Sequence, residues 1–115
     1  MSAQSGLTFK LARADHDYWG HLVESAVGAH LANASATGVC ELFYWRERNF
    51  EVDFVVRVGK VVTAIEVKSG RARDSLAGLT QFTTLFKPQR TLLVGADGIA
   101  LEEFLLRDVG HWVNP

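Results

Sequence analysis

The chain has 115 residues, of which 48% are hydrophobic and 22% are charged, and its formal net charge is −1 at pH 7. This length suits one domain with one hydrophobic core, and the composition excludes a disordered or fibrous protein. The near-neutral charge argues against a protein that holds duplex DNA by bulk electrostatic attraction, which needs many Lys and Arg contacts to phosphate. We therefore predict a single domain over residues 1–115, in which any contact with nucleic acid is local.

The sequence predicts neither a membrane segment nor a secretory signal. Its longest apolar runs, such as residues 54–58 and 61–65, have the length of strands, whereas a bilayer-spanning helix needs about 20 apolar residues. The first ten residues lack the charged-then-apolar layout of a signal peptide, and the single Cys40 cannot form an internal disulfide. We expect a cytoplasmic protein with no membrane partner.

Hydrophobic periodicity and turn residues predict seven elements. In chain order they are a helix over residues 15–34, strands over 42–45, 51–58 and 61–69, a helix over 74–86, a strand over 90–96 and a helix over 101–107. Residues 111–115 are a tail without an assignment. The order of one helix, three strands, a helix and a strand predicts an α/β fold with a mixed sheet flanked by helices.

The link between the second and third strands predicts their register. Gly59 and Lys60 are the only residues between the two runs, and glycine in the first position favours a type II′ hairpin turn. Val58 then lies opposite Val61, and side chains alternate between the two faces of the hairpin. The predicted facing pairs on one side are Val55 with Ala64, Asp53 with Glu66, and Glu51 with Lys68.

Two carboxylates opposite each other on a partly apolar face repel, so something must offset their charge. One carboxyl can be protonated, a cation can lie between them, or Lys68 can neutralise the pair. Mg²⁺ suits Asp53 and Glu66 because it commonly takes one or two carboxylates together with water and phosphate. With a lysine to position water or stabilise negative charge, these are the parts for phosphodiester hydrolysis. The alternative is a surface arrangement in which Glu51 forms a cross-strand ion pair with Lys68.

The same residues resemble a known family. Asp53 followed by Glu66-Val67-Lys68 on the next strand, with Glu24 on the preceding helix, resembles the PD-(D/E)XK nuclease superfamily. The phrases GHLVESAVGAHL, YWRERNFEVDFVV and AIEVKSG resemble more narrowly a C-terminal domain of unknown function found in many prokaryotic AAA+ type ATPases. This resemblance runs from about Trp19 to Phe104.

The resemblance implies a restriction-endonuclease-like α-β-β-β-α-β core. In such a core Glu24, Asp53 and Glu66 approach a Mg²⁺ (or Mn²⁺) ion, and Lys68 is the catalytic lysine. The pattern departs from the superfamily at Val52, which stands where proline often precedes the aspartate. The chain also has no GxxxxGK[ST] phosphate loop, so we expect either a C-terminal fragment of a larger ATPase or a stand-alone relative.

Two further groups of residues bear on nucleic acid. Arg71 and Arg73 follow Lys68 in the stretch KSGRAR and are candidates for phosphate contacts. Aromatic residues can stack on bases, but in strands and helices they usually belong to the core, which is the interpretation we favour. The residues concerned are Trp19, Phe43, Tyr44 and Trp45.

Two functions follow from the sequence. The first is a Mg²⁺-dependent deoxyribonuclease that uses the acidic residues for metal and Lys68 for the attacking water. The second is a non-catalytic, nuclease-fold interaction or regulatory domain of an AAA+ type ATPase, in cis or in trans, whose carboxylates form a structural network. The sequence does not predict the oligomeric state.

Overall fold

The computed structural model describes residues 16–68, 76–95 and 98–115, with side chains described from residue 19. The predicted element order is confirmed, and one helix is added near the C-terminus. In chain order the elements are α1 (His16–Ala36), β1 (Glu41–Glu47), β2 (Phe50–Val58), β3 (Val61–Lys68), α2 (Ala77–Phe86), β4 (Arg90–Gly95), α3 (Leu101–Leu106) and α4 (Val109–Val113).

The four strands form one mixed sheet in the order β1-β2-β3-β4. β1 and β2 are antiparallel, β2 and β3 are antiparallel, and β3 and β4 are parallel. A parallel pair needs a crossover connection, which α2 supplies between β3 and β4. The fold is therefore the predicted α/β arrangement, with a mixed sheet flanked by helices.

The predicted hairpin register is confirmed over most of its length. Val58 pairs with Val61, and the ladder continues to Phe54 opposite Ile65. A type II′ turn requires a positive φ at its first central residue and not at its second. Gly59 has a φ of 61°, and Lys60 does not have a positive φ, so the link meets both conditions. The turn thus sets which residues of β2 and β3 share a face.

The sheet is covered on both faces, by different helices. One face packs against α1, α3 and α4 through a buried cluster that includes Val27, Leu31, Phe54, Val56, Ile65 and Phe104. On α1 the buried residues recur every fourth position, as expected for one face of a helix. The other face packs against α2 through a smaller cluster of Val52, Val55, Ala64 and Phe82, with Trp45 against it.

The added helix α4 overlaps the tail, residues 111–115, for which no structure was predicted. Val109 and Val113 are buried in the larger core. The Trp112 indole N–H donates to the Phe104 carbonyl at 3.2 Å, and the Arg90 guanidinium donates to the Trp112 carbonyl. Five residues are too few to display a helical period, so the packing of this helix could not be read from its sequence.

None of the helices in the described ranges is both long enough and apolar enough to cross a membrane. The predicted cytoplasmic location stays a prediction.

Candidate functional site

The middle of the sheet opens into a fork beyond Phe54 and Ile65. The described β2–β3 ladder ends at that pair, but both strands continue. The start of β2 stays paired with β1, and the end of β3, including Glu66 and Lys68, stays paired with β4. The predicted facing pairs Asp53–Glu66 and Glu51–Lys68 therefore lie in the fork, beyond the last paired residues.

The register between β1 and β2 shifts at Asp53 and Phe54, as in a β-bulge. Phe43 pairs with Val55, and Trp45 pairs with Val52. Tyr44 on β1 therefore lies opposite two residues of β2, Asp53 and Phe54. A bulge interrupts the alternation of side chains and re-aims the residue that it contains. The Val67 N–H donates to Asp53 Oδ2 at 2.8 Å, so the carboxylate bridges the fork where a backbone pair would otherwise stand.

A cavity of about 300 Å³ occupies the open end of the fork. The four residues predicted as catalytic, Glu24, Asp53, Glu66 and Lys68, all line it, together with Glu51. β2 and β3 supply all of these residues except Glu24, which comes from α1. The structure thus brings the predicted residues together in one polar cavity, while their catalytic role stays a prediction.

A larger cavity of about 910 Å³ lies elsewhere, between the C-terminal half of α1 and the α3–α4 region. His30 lines it, and a ring nitrogen of this histidine is 2.9 Å from the Arg107 carbonyl oxygen. No buried carboxyl group lies among its lining residues. The fork is the better candidate because it combines the buried carboxyl group of Glu66 and the half-buried Asp53 with a lysine.

Glu66 is the most buried acid of the cluster, with only 4% of its surface exposed. Burial raises the pKa of Glu66 to about 8, and both hydrogen bonding to Asp53 and the Asp53 charge act in the same direction. The Lys68 ammonium opposes this rise. Burial also raises the pKa of Glu24, with the charges of Asp53 and Glu51 adding to the effect. Glu66 and Glu24 therefore hold their protons more tightly than isolated carboxyl groups do.

Lys68 and Glu51 lie near each other in the cavity wall without forming the predicted ion pair. Lys68 is half-buried at the end of β3, where it pairs with Gly95 of β4. Glu51 lies 4.0 Å from the Arg46 guanidinium, and among the described residues it forms no ion pair with Lys68. The surface ion pair that was the alternative prediction is therefore not formed.

Gly78 is a residue that the sequence reasoning missed. A Cβ on Gly78 would lie 2.0 Å from the Glu51 carbonyl oxygen, so only glycine allows the first turn of α2 to contact β2 here. That contact brings Ala77 and Gly78 to the cavity wall. A glycine inside a predicted helix was the available signal, since such a glycine often marks close packing.

The predicted phosphate contacts and the predicted metal ligands have different outcomes. Arg71 and Arg73 lie outside the described residues. Among the residues that are described, no group of three or more His, Cys, Asp or Glu side chains already has the arrangement of a metal site. A metal bound in the fork would therefore take only part of its ligands from the carboxylates as they stand.

The comparisons with known proteins give a family. A protein-family profile described as Domain of unknown function (DUF4143) matches residues 19–104, which is most of the chain. Neither the curated proteins nor the solved structures contain a match to the chain.

Proposed function

We propose that this chain, which belongs to the DUF4143 family, is a Mg²⁺- or Mn²⁺-dependent DNA phosphodiester hydrolase of the PD-(D/E)XK kind. The observation that supports the proposal is the convergence of Glu24, Asp53, Glu66 and Lys68 on one small polar cavity. Buried acids with a perturbed pKa and a charged partner in a cleft are typical of functional sites.

The chemistry of the cavity suits a divalent cation. Asp53 and Glu66 offer carboxylate oxygens, which are the ligands that Mg²⁺ prefers, and water or phosphate commonly completes its coordination. Burial, with the neighbouring Asp53 adding to it, raises the pKa of Glu66, and a cation in the cavity would offset the unfavourable negative charge of the two acids. Glu24 extends the acidic surface from α1 and is the third proposed ligand. When bound, the ion would polarise the phosphate and lower the pKa of a coordinated water.

The chain's own residues then have distinct roles in the proposed reaction. The Val67 N–H holds the Asp53 carboxylate in one orientation across the fork. The Lys68 ammonium, on the strand that also carries Glu66, would orient the attacking water or stabilise the negative charge that develops on the phosphate. Arg71 and Arg73 follow Lys68 in the sequence and remain candidates for phosphate contacts.

Cleavage of DNA in Mg²⁺ or Mn²⁺ tests this proposal. We expect the wild-type chain to nick DNA, and Asp53→Asn and Lys68→Met to lower the rate by about a hundredfold or more, since removing one group that stabilises the transition state costs that much. Glu102→Gln, which removes an exposed carboxylate at the start of α3, is the matched control and should retain activity. Wild-type protein without activity, or Lys68→Met with full activity, would contradict the proposal.

A second function has its own supporting observation. The carboxyl cluster is partly stabilised without a metal, because Asp53 accepts a hydrogen bond from the Val67 N–H and Glu66 is buried with a raised pKa that favours its neutral form. Such a network suits a non-catalytic module that docks on or regulates an AAA+ type ATPase, in cis or in trans. The fold would then serve as a rigid surface, and the acids would serve its structure.

Binding to an ATPase domain separates the two functions. The docking function predicts stable association with an AAA+ ATPase domain that survives both Asp53→Ala and Lys68→Ala. Loss of association in both variants, with circular dichroism showing that each is folded, rules out the purely structural role. Association that survives, together with no cleavage by the wild type, rules out the hydrolase.

A further inference from the structure

An exposed aromatic ring lies beside the fork on the edge strand β1. Tyr44 is 70% exposed, although it belongs to an aromatic run that the sequence assigned to the core. Its ring packs against Phe54 with 5.8 Å between the ring centroids, and Phe54 in turn lies against Gly28 of α1. One side of the Tyr44 ring therefore packs against the core, and the other side is exposed to solvent.

A cation lies next to this ring on the same face. Side chains alternate along a strand, so Tyr44 and Arg46 share one face of β1, about 7 Å apart along the strand. Trp45, between them, packs against Phe82 on the opposite face. The Arg46 side chain is 79% exposed, and its ion pair with Glu51, at 4.0 Å, is exposed as well and so contributes little stability.

The ring and the cation lie along β1, and residues that line the cavity lie next to both of them on β2. Tyr44 is the residue of β1 that stands opposite the bulge containing Asp53. Arg46 pairs with Glu51, which lines the acidic cavity. A ligand with its base on the ring and its phosphate on the guanidinium would therefore lie along β1, beside the open end of the fork.

We propose that Tyr44 and Arg46 bind single-stranded nucleic acid and lead it to the fork. The proposal rests on the proposed hydrolase for the chemistry of the cavity, but binding itself needs no metal. An unpaired base presents the π-face that stacks on an aromatic ring, whereas paired bases in a duplex do not. The net charge of −1 leaves little electrostatic attraction for duplex DNA, so affinity must come from local stacking and one or two phosphate contacts.

Fluorescence anisotropy with a labelled oligothymidylate of about 16 nucleotides, and with a duplex of the same length, tests the proposal in EDTA. We expect the single strand to bind more tightly than the duplex. Tyr44→Leu, which keeps an apolar contact with Phe54 but removes the π-face, should weaken single-strand binding by roughly tenfold, while Tyr44→Phe should retain it. Arg46→Gln should reduce the slope of log affinity against log salt by about 0.7, the contribution of one phosphate contact.

Phe43→Ala is the matched control. Phe43 is 43% exposed on the same strand, but it lies on the opposite face, under the Arg57 guanidinium that Glu41 holds. Its removal should leave single-strand binding unchanged.

Equal affinity for single strand and duplex would overturn the proposal, and so would wild-type affinity in a folded Tyr44→Leu protein. If Tyr44→Leu instead abolishes self-association of the chain, the edge of β1 binds a second copy and the proposal is likewise wrong. Single-strand binding without metal-dependent cleavage would contradict the hydrolase and leave this inference standing. Metal-dependent cleavage without a preference for binding single strands would support the hydrolase and overturn this inference.

Discussion

At the scale of single residues, the orientation of Asp53 distinguishes the site from a simple hairpin face. The turn at Gly59 predicts which residues share a face, but a regular hairpin would place Asp53 directly opposite Glu66 in the ladder. Instead the bulge and the Val67 N–H hold the Asp53 carboxylate across the fork. The proximity of the acids was predictable from the spacing of Asp53, Glu66 and Lys68. Their environment was not, because it depends on where β2 and β3 separate.

The buried Glu66 predicts a pH dependence of stability in the metal-free protein. Its pKa is raised from 4.5 to about 8, so the folded state binds a proton that the unfolded state releases between these values. The stabilising contribution is complete below about pH 4.5 and is lost as pH rises through about 8. Each pKa unit corresponds to about 1.4 kcal/mol, so the free energy of unfolding should fall by a few kcal/mol across this range.

Urea unfolding in EDTA from about pH 5 to about pH 8 measures this effect. Glu66→Gln cannot release a proton, so its free energy of unfolding should vary less with pH than that of the wild type. Glu102→Gln should keep the wild-type dependence. A stability that rises with pH in the wild type, or an unchanged slope in Glu66→Gln, would show that Glu66 does not hold the proton.

Gly78 makes a second prediction at this scale. Gly78→Ala places a methyl group 2.0 Å from a backbone oxygen of Glu51, which cannot move aside as a side chain could. Overpacking of this kind costs about 1–3 kcal/mol, and the displaced α2 should also weaken any binding in the fork. Gly110→Ala is the control, because its new methyl group would meet only the end of the Asn114 side chain. Thermal unfolding should show a clear loss for Gly78→Ala and little or none for Gly110→Ala; equal stability of the two would contradict the packing argument.

At the scale of elements, the sequence predicted the strands and longer helices because each shows its own period or turn signal. It was wrong about the exposure of Phe43 and Tyr44, because whether a strand lies at the edge of a sheet depends on the other strands. β1 is at the edge, so aromatic residues of the kind usually buried in a central strand are exposed there. Trp45 is half-buried against Phe82, as predicted.

The central strand β3 contains a polar atom without a partner. The Thr63 hydroxyl is fully buried, and among the described residues it is the one buried side-chain polar atom that lacks a hydrogen bond. Burying an unpaired hydroxyl is unfavourable, so Thr63→Val should raise the free energy of unfolding by about 1 kcal/mol. Thr91→Val, at an exposed position on the neighbouring strand β4, should change it much less. A destabilised Thr63→Val protein in urea unfolding would mean that the hydroxyl is hydrogen-bonded in solution.

At the scale of the whole molecule, the folded unit is larger than the range matched by the family. The match ends at residue 104, but α4 contributes to the same core as α1 and the sheet. Trp112 stacks on Phe104 with 5.6 Å between the ring centroids, and Arg90 bonds to the carbonyl groups of Trp112 and Asn114. The last seven residues therefore close the core rather than trail from it.

Truncation before α4 tests whether this helix stabilises the core. A chain ending at Asp108 loses two buried valines and the Trp112 contacts, at roughly 1.5–3 kcal/mol for each buried side chain. We expect it to be about 4 kcal/mol less stable, or unfolded, in a circular-dichroism melt. Removal of Pro115 alone should have no effect, since this residue is exposed. Wild-type stability in the longer truncation would show that α4 is dispensable.

The central claim is that the fork binds a divalent cation through Asp53, and calorimetric titration with Mn²⁺ tests it most directly. We predict binding to the wild-type chain and to Glu102→Gln, and loss of binding in Asp53→Asn. Absence of binding in the wild type, or equal binding in Asp53→Asn, would contradict the account and favour the non-catalytic module.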